Sequence, residues 1–171
     1  PQRVAYRDYQ SAQSDWVDLT WAEAGARVGR LRAALATESL HAGDRVAIML
    51  RNCSNWILFD QAALAQGLVT VPLFVDDRPD NLAYILNDAE VRVLLCEGEE
   101  HLKKVAAVSG SLPHLQRIVT VKAIAKADDP RVRALDDWMA PTPIAEPFHT
   151  PADFDGRRTL ATIVYTSGTT G

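Results

Sequence analysis

Six consecutive residues, Thr166-Ser167-Gly168-Thr169-Thr170-Gly171, set four hydroxyls and two glycines side by side. Gly168 and Gly171 bring backbone N–H groups with no Cβ in the way. Glycine also adopts the positive-φ conformations that turn successive N–H groups toward one anion. Hydroxyls and N–H groups gathered in this way suit the oxygens of a phosphate chain. The ordinary alternative for a Gly/Ser/Thr cluster is a solvated connection. The 171 residues contain no G-x-x-x-x-G-K-[ST] pattern, and no Lys follows the loop within them.

The elements that must hold this loop can be read backwards from it. Leu160-Ala161-Thr162-Ile163-Val164 is a short apolar run, which reads as a buried strand near 160–165 with Tyr165 packing at its end. Before it, Pro141, Pro143, Pro147 and Pro151 mark a stiff extended connection over 141–156. Arg45–Leu50, Leu68–Val71, Val91–Cys96 and Gln116–Val121 are apolar runs bounded by turn signals, hence buried strands. Thr20-Trp21-Ala22-Glu23 is a capping box, and Ala24, Val28, Leu31 and Leu35 then recur on one helical face. Arg27, Arg30 and Arg32 lie off that stripe and read as a solvated face.

Asn52 or Ser54 can cap a second helix, which ends before Gly67. A third starts with Pro79 in its first turn and puts Leu82, Tyr84, Ile85, Leu86 and Ala89 on its core side. A fourth runs from about Glu99 to Val108, with two acids where the dipole favours them. Ser109-Gly110-Ser111 reads as a loop, Asp128-Asp129-Pro130 as a turn, and Leu135–Trp138 as one helical turn. Residues 1–19 read as extended and irregular, leaving Tyr6, Tyr9 and Trp16 to pack on a neighbouring surface. Strands alternating with helices predict an α/β fold: a mostly parallel sheet with helices on both faces and right-handed crossovers. Ligands of such sheets bind at the carboxyl ends of the strands, and the hydroxyl-rich loop falls at one.

Composition narrows the classes. At 171 residues, 47% hydrophobic and 23% charged, the chain suits a soluble domain with a real core. A net charge of −4 without a basic stripe argues against nucleic acid as a partner. No apolar run approaches the roughly 20 residues of a membrane helix, and no signal peptide is visible. With Pro1 in first place, the natural N-terminus is expected to lie upstream. Cys53 and Cys96 are far apart and fit two buried thiols in a reducing, cytoplasmic compartment. His41, His101, His114 and His149 show no ligand spacing and read as surface or loop residues, so no metal site is expected.

The heptapeptide Tyr165–Gly171 resembles the phosphate-binding loop of the adenylate-forming superfamily, whose signature Y-T-S-G-T-T-G stands here complete and continues elsewhere into Pro-Lys-Gly. Thr20–Glu23, Gly43–Ile48, Asn52 and Trp56, Gly67–Leu73 and Asp80–Leu86 look like the opening of bacterial long-chain fatty acid–CoA ligases. Thr159, after Arg157-Arg158, stands where that family usually has an acid.

The resemblance implies that residues 1–171 are the first α/β portion of the large N-terminal domain of an adenylate-forming enzyme, with 160–171 as strand and phosphate loop. The rest of that domain and the C-terminal domain would lie outside it. It implies a parent enzyme that activates a fatty acid with ATP and Mg²⁺ and transfers it to CoA, from the cytoplasm or in peripheral contact with the inner membrane face. Thr166, Ser167, Gly168, Thr169, Thr170 and Gly171 would contact the β- and γ-phosphates, binding and positioning without proton transfer. Catalytic residues and metal ligands would lie outside this stretch, so the 171 residues alone are expected to be inactive. The alternatives are an aryl-CoA ligase, a peptide-synthetase adenylation domain, or a noncatalytic α/β module that keeps the loop.

Overall fold

Apolar runs too hydrophobic to face water on either side must be covered on both, and the structure shows how. It is a computed structural model that describes residues 1–10, 15–125, 127–140, 156 and 159–166. The chain opens with a hairpin of β1 (Val4–Gln10) and β2 (Asp15–Thr20), paired antiparallel. The described part of residues 1–19 is thus extended but mostly not irregular. The pairing is set by partners on opposite strands, which neither strand shows alone. Arg7 grips Asp18 through two hydrogen bonds, of 2.5 and 3.0 Å. Tyr9 meets Trp16 edge-on at 5.4 Å.

Helix α1 (Trp21–Ala36) starts at the expected capping box. Thr20 Oγ1 accepts the Glu23 N–H at 3.3 Å, and the Glu23 carboxylate accepts the Thr20 N–H at 2.8 Å. Its inward face is Ala24, Leu31, Ala34 and Leu35, with Val28 half-buried. The arginines beside it are not a solvated face: Arg27 and Arg30 are half-buried, and Arg27 donates to Asn55 Oδ1 at 3.2 Å. The neighbouring helix covers that flank, which the sequence of α1 alone does not reveal.

The rest is β3 (Arg45–Met49), α2 (Ser54–Leu64), β4 (Val69–Pro72), α3 (Pro79–Asp88), β5 (Val91–Cys96), α4 (Glu99–Ala106), β6 (Arg117–Thr120), β7 (Val132–Ala134) and α5 (Leu135–Met139). Ser109–Ser111 wind a 3-10 turn. Strands β3 to β7 form one parallel sheet in the order β4-β3-β5-β6-β7. The chain therefore steps outward from β3 to β4, then crosses back to β5. Crossovers of one hand put helices on opposite faces when the direction reverses. Accordingly α2 packs with α1 and α5 on one face, over Val46, Ile48, Val93, Leu95 and Val119. Helix α3 covers the other face, over Ala47, Met49, Val71, Leu94 and Ile118. The expected α/β fold with helices on both faces is what the chain adopts.

Strand β7 was not legible: three residues of pairing with β6 leave no period to detect. The helical turn expected at Leu135–Trp138 is α5, whose Trp138 ring lies 6.4 Å from that of Phe59. Helix α2 is capped by neither Asn52 nor Ser54. Its Ser54 N–H donates to both carboxylate oxygens of Asp8, each at 3.0 Å, from β1 and 46 positions away. Cys96 is fully buried, and that burial pushes its thiol up to about 12; Cys53 is only half-buried. The Pro-rich connection lies outside the described residues.

Candidate phosphate-binding site

The approach to the loop is set by one rung of the sheet. Thr162 forms a parallel bridge with Thr70 of β4. The Thr70 N–H donates to Ala161 O at 3.0 Å, and Thr70 O accepts from the Ile163 N–H at 3.0 Å and Thr162 Oγ1 at 2.9 Å. Residues 161–163 thus run beside β4 in the same direction, toward the sheet's carboxyl edge. This corrects the strand expected near 160–165: among the described residues it is a single bridge. Pro72 explains why. The next residue of β4 to face this segment after Thr70 is Pro72, which has no N–H to give. The run is not buried either, for Leu160 and Val164 stand 57% and 61% exposed.

Tyr165 does more than fill space at the strand end. Its Oη donates to Asp88 Oδ2 at 2.5 Å. Its ring meets Tyr84 edge-on, at 6.5 Å and 87°. Tyr84 is therefore not on the core side of α3; it is 61% exposed and faces this junction. Burial, then the Asp88 hydrogen bond and charge, push the Tyr165 phenol up to about 12. Phe74, Asp77, Asn81, Tyr84, Ile85, Tyr165 and Thr166 line a hollow of about 550 Å³. Lys104 ties down the segment before α3 by donating to Val75 O at 2.8 Å and Asp77 O at 3.1 Å.

Of the six expected phosphate contacts, only Thr166 can be placed, exposed on the rim of this hollow. Ser167, Gly168, Thr169, Thr170 and Gly171 lie outside the described residues. The sequence did not reveal the partners that meet the loop's base, Asp88 and Tyr84. They come from a helix far away in the chain and carry no local motif. A second hollow of about 620 Å³ lies past the ends of β3, β5 and β6, lined by Arg7, Tyr9, Trp16, Arg51, Glu97 and Lys122 among others. Among the described residues no three His, Cys, Asp or Glu side chains converge on a point that could hold a metal ion. No helix among them is long and apolar enough to cross a membrane.

The family model described as AMP-binding enzyme matches residues 1–171. The chain belongs to the AMP-binding enzyme family. This bears out the resemblance carried by Tyr165–Gly171. Among its relatives is a long-chain-fatty-acid–CoA ligase of Mycobacterium tuberculosis, 33% identical over 158 residues, covering 91% of this chain and 25% of the relative. Fatty acyl-CoA synthetase A of Dictyostelium discoideum is 28% identical over 170 residues, covering 93% of the chain and 24% of that protein. The chain thus spans about a quarter of the length of the curated relatives it matches. The fold is shared with the crystal structure of an acyl-CoA synthetase from Brucella canis, with TM-score 0.82, 20% identity, and coverage of 99% of this chain and 29% of that one. Apo MatB from Rhodopseudomonas palustris is similar at TM-score 0.70 and 26% identity, over 94% of this AMP-binding chain and 29% of MatB.

Proposed function

We propose that this AMP-binding chain is the first α/β portion of a cytoplasmic, AMP-forming ligase that activates a long-chain fatty acid with ATP and passes it to CoA. The observation that carries the proposal is the complete heptapeptide Tyr165–Gly171 in the sequence, preceded by a segment that runs beside β4 toward the sheet's carboxyl edge. The 33% identity to a long-chain ligase supports the choice of acid. In such a reaction the carboxylate oxygen attacks the α-phosphorus of ATP and pyrophosphate leaves with the electron pair. The CoA sulfur then attacks the acyl carbon and AMP leaves.

The physical difficulty is repulsion between an anionic nucleophile and a polyanion. Donors fixed in advance around the leaving pyrophosphate offset it without reorganising during the reaction. Thr166, Ser167, Thr169 and Thr170 would supply hydroxyl donors, and Gly168 and Gly171 the close backbone approach. They bind and position; none of them moves a proton. Mg²⁺ accompanies ATP in this reading, and no described residue is assigned to it.

The test uses the full-length parent. Acid-dependent exchange of pyrophosphate into ATP should be strongest with long-chain fatty acids across a panel that includes aryl and amino acids. Thr166→Ala and Thr169→Ala should each weaken ATP use by about 1–3 kcal/mol, the cost of a hydrogen bond to a charged group. A parent that catalyses no ATP–pyrophosphate exchange with any acid overturns the proposal.

A further inference from the structure

We infer that Tyr165 and Asp88 form a clamp that sets where the phosphate-binding loop begins, which makes both of them positioning residues for ATP. The inference rests on the reading of that loop as a triphosphate site. The clamp joins two parts of the chain 77 positions apart. Asp88 is the last residue of α3, and Tyr84 sits one turn before it. Both partners of Tyr165 therefore belong to one turn of a helix that Leu82, Ile85 and Leu86 anchor in the core.

The loop side is held much more lightly. Among the described residues, the last backbone rung on this segment joins the Ile163 N–H to Thr70 O. Beyond it, Val164 and Thr166 are exposed, and the Tyr165 side chain carries the attachment. Thr166, the first hydroxyl of the loop, follows Tyr165 directly. A displacement of Tyr165 moves that donor with it, and misplacement on the scale of about 1 Å is enough to impair a positioned group. The phenol, pushed up to about 12, stays a donor throughout the neutral range. A role in packing alone would need the ring but not the hydroxyl.

That difference is what the experiment reads. In the full-length parent, Tyr165→Phe keeps the ring and its contact with Tyr84 but deletes the donor. Its KM for ATP should rise about five- to tenfold, with the KM for the acid and the melting temperature unchanged. Asp88→Ala should do the same, and the double variant should be no worse than either single one, since one bond is being removed twice. Asp88→Asn, whose amide oxygen still accepts from Tyr165, should stay within about twofold of the parent. A Tyr165→Phe enzyme with the parental KM for ATP overturns the clamp, as do single losses that multiply in the double variant, while exchange activity in the parent leaves the loop reading standing. A parent with no ATP dependence sinks both.

Discussion

The two edges of the parallel sheet use the same kinds of charged residue to different ends. Along the amino edge the pairs are drawn into the protein. Glu38, with a side chain only 8% exposed, accepts from Arg117 Nε at 2.7 Å. It also accepts from Trp138 Nε1 at 2.7 Å. Asp44, 12% exposed, holds Arg92 at 3.0 Å. Arg45 bridges Ala89 O and the Glu90 carboxylate, tying the end of α3 to the start of β3. Along the carboxyl edge, Arg51 and Asp76 face each other at 3.4 Å with side chains 72% and 82% exposed. Lys122 reaches Glu97 at 2.6 Å from a side chain that is 70% exposed. Buried pairs cannot be broken on one side without stranding a charge, whereas exposed pairs contribute little. The amino edge is closed by its electrostatics. The carboxyl edge leaves most of its paired charges to water and keeps its hollows open.

That contrast can be broken experimentally. The largest effect is expected at the amino edge. Glu38→Ala strands the Arg117 guanidinium and the Trp138 N–H together, and should cost about 3–5 kcal/mol in denaturant unfolding. Glu38→Gln, which keeps an acceptor for Trp138, should cost less. A loss below about 1 kcal/mol in Glu38→Ala would mean that the amino edge is no more closed than the other.

A smaller effect tests a long-range tie at the start of α2. Asp8→Ala removes the acceptor of the Ser54 N–H and should destabilise by about 1 kcal/mol, as for other lost helix caps. Asp8→Asn should recover most of this, and an unchanged Asp8→Ala protein would show that α2 starts without help from β1.

The smallest effect is one of pH. Arg131, hydrogen-bonded to Asp129 at the amino edge, holds that carboxyl below the usual carboxylate range. A carboxyl with a lowered native pKa adds stability above its unfolded value, near 4, and loses it as pH falls through the native value. The acid limb of a stability–pH profile should therefore flatten slightly below about pH 4 in Asp129→Asn. An identical limb in the variant would remove Asp129 from the account.

Much of this architecture is written locally. The capping box at Thr20 needs only residues within one turn, and the structure has it as read. Pro79 in the first turn of α3 and the apolar run of Val91–Cys96 are equally local signals. Helix α2 shows the limit. Its cap arrives from Asp8, on a strand whose pairing depends on a partner across the hairpin. Tyr84 shows another: an apolar ring on an otherwise apolar face reads as core, yet it is turned to the junction with Tyr165.

The sequence by itself determined that strands and helices alternate, that the sheet is mostly parallel, and that hydroxyls and glycines follow one another directly after a short apolar run. Those features depend on the period of apolar residues and on backbone preferences, which act over a few neighbours. Only the tertiary structure decided that Pro72 cuts the final pairing to one rung, that Asp88 holds Tyr165, and that Glu38 and Asp44 are buried in their ion pairs while Arg51 and Asp76 are not. These depend on which distant residues the fold brings within hydrogen-bonding range. A hydrogen bond's worth is set by the water excluded around it, and no local pattern records that.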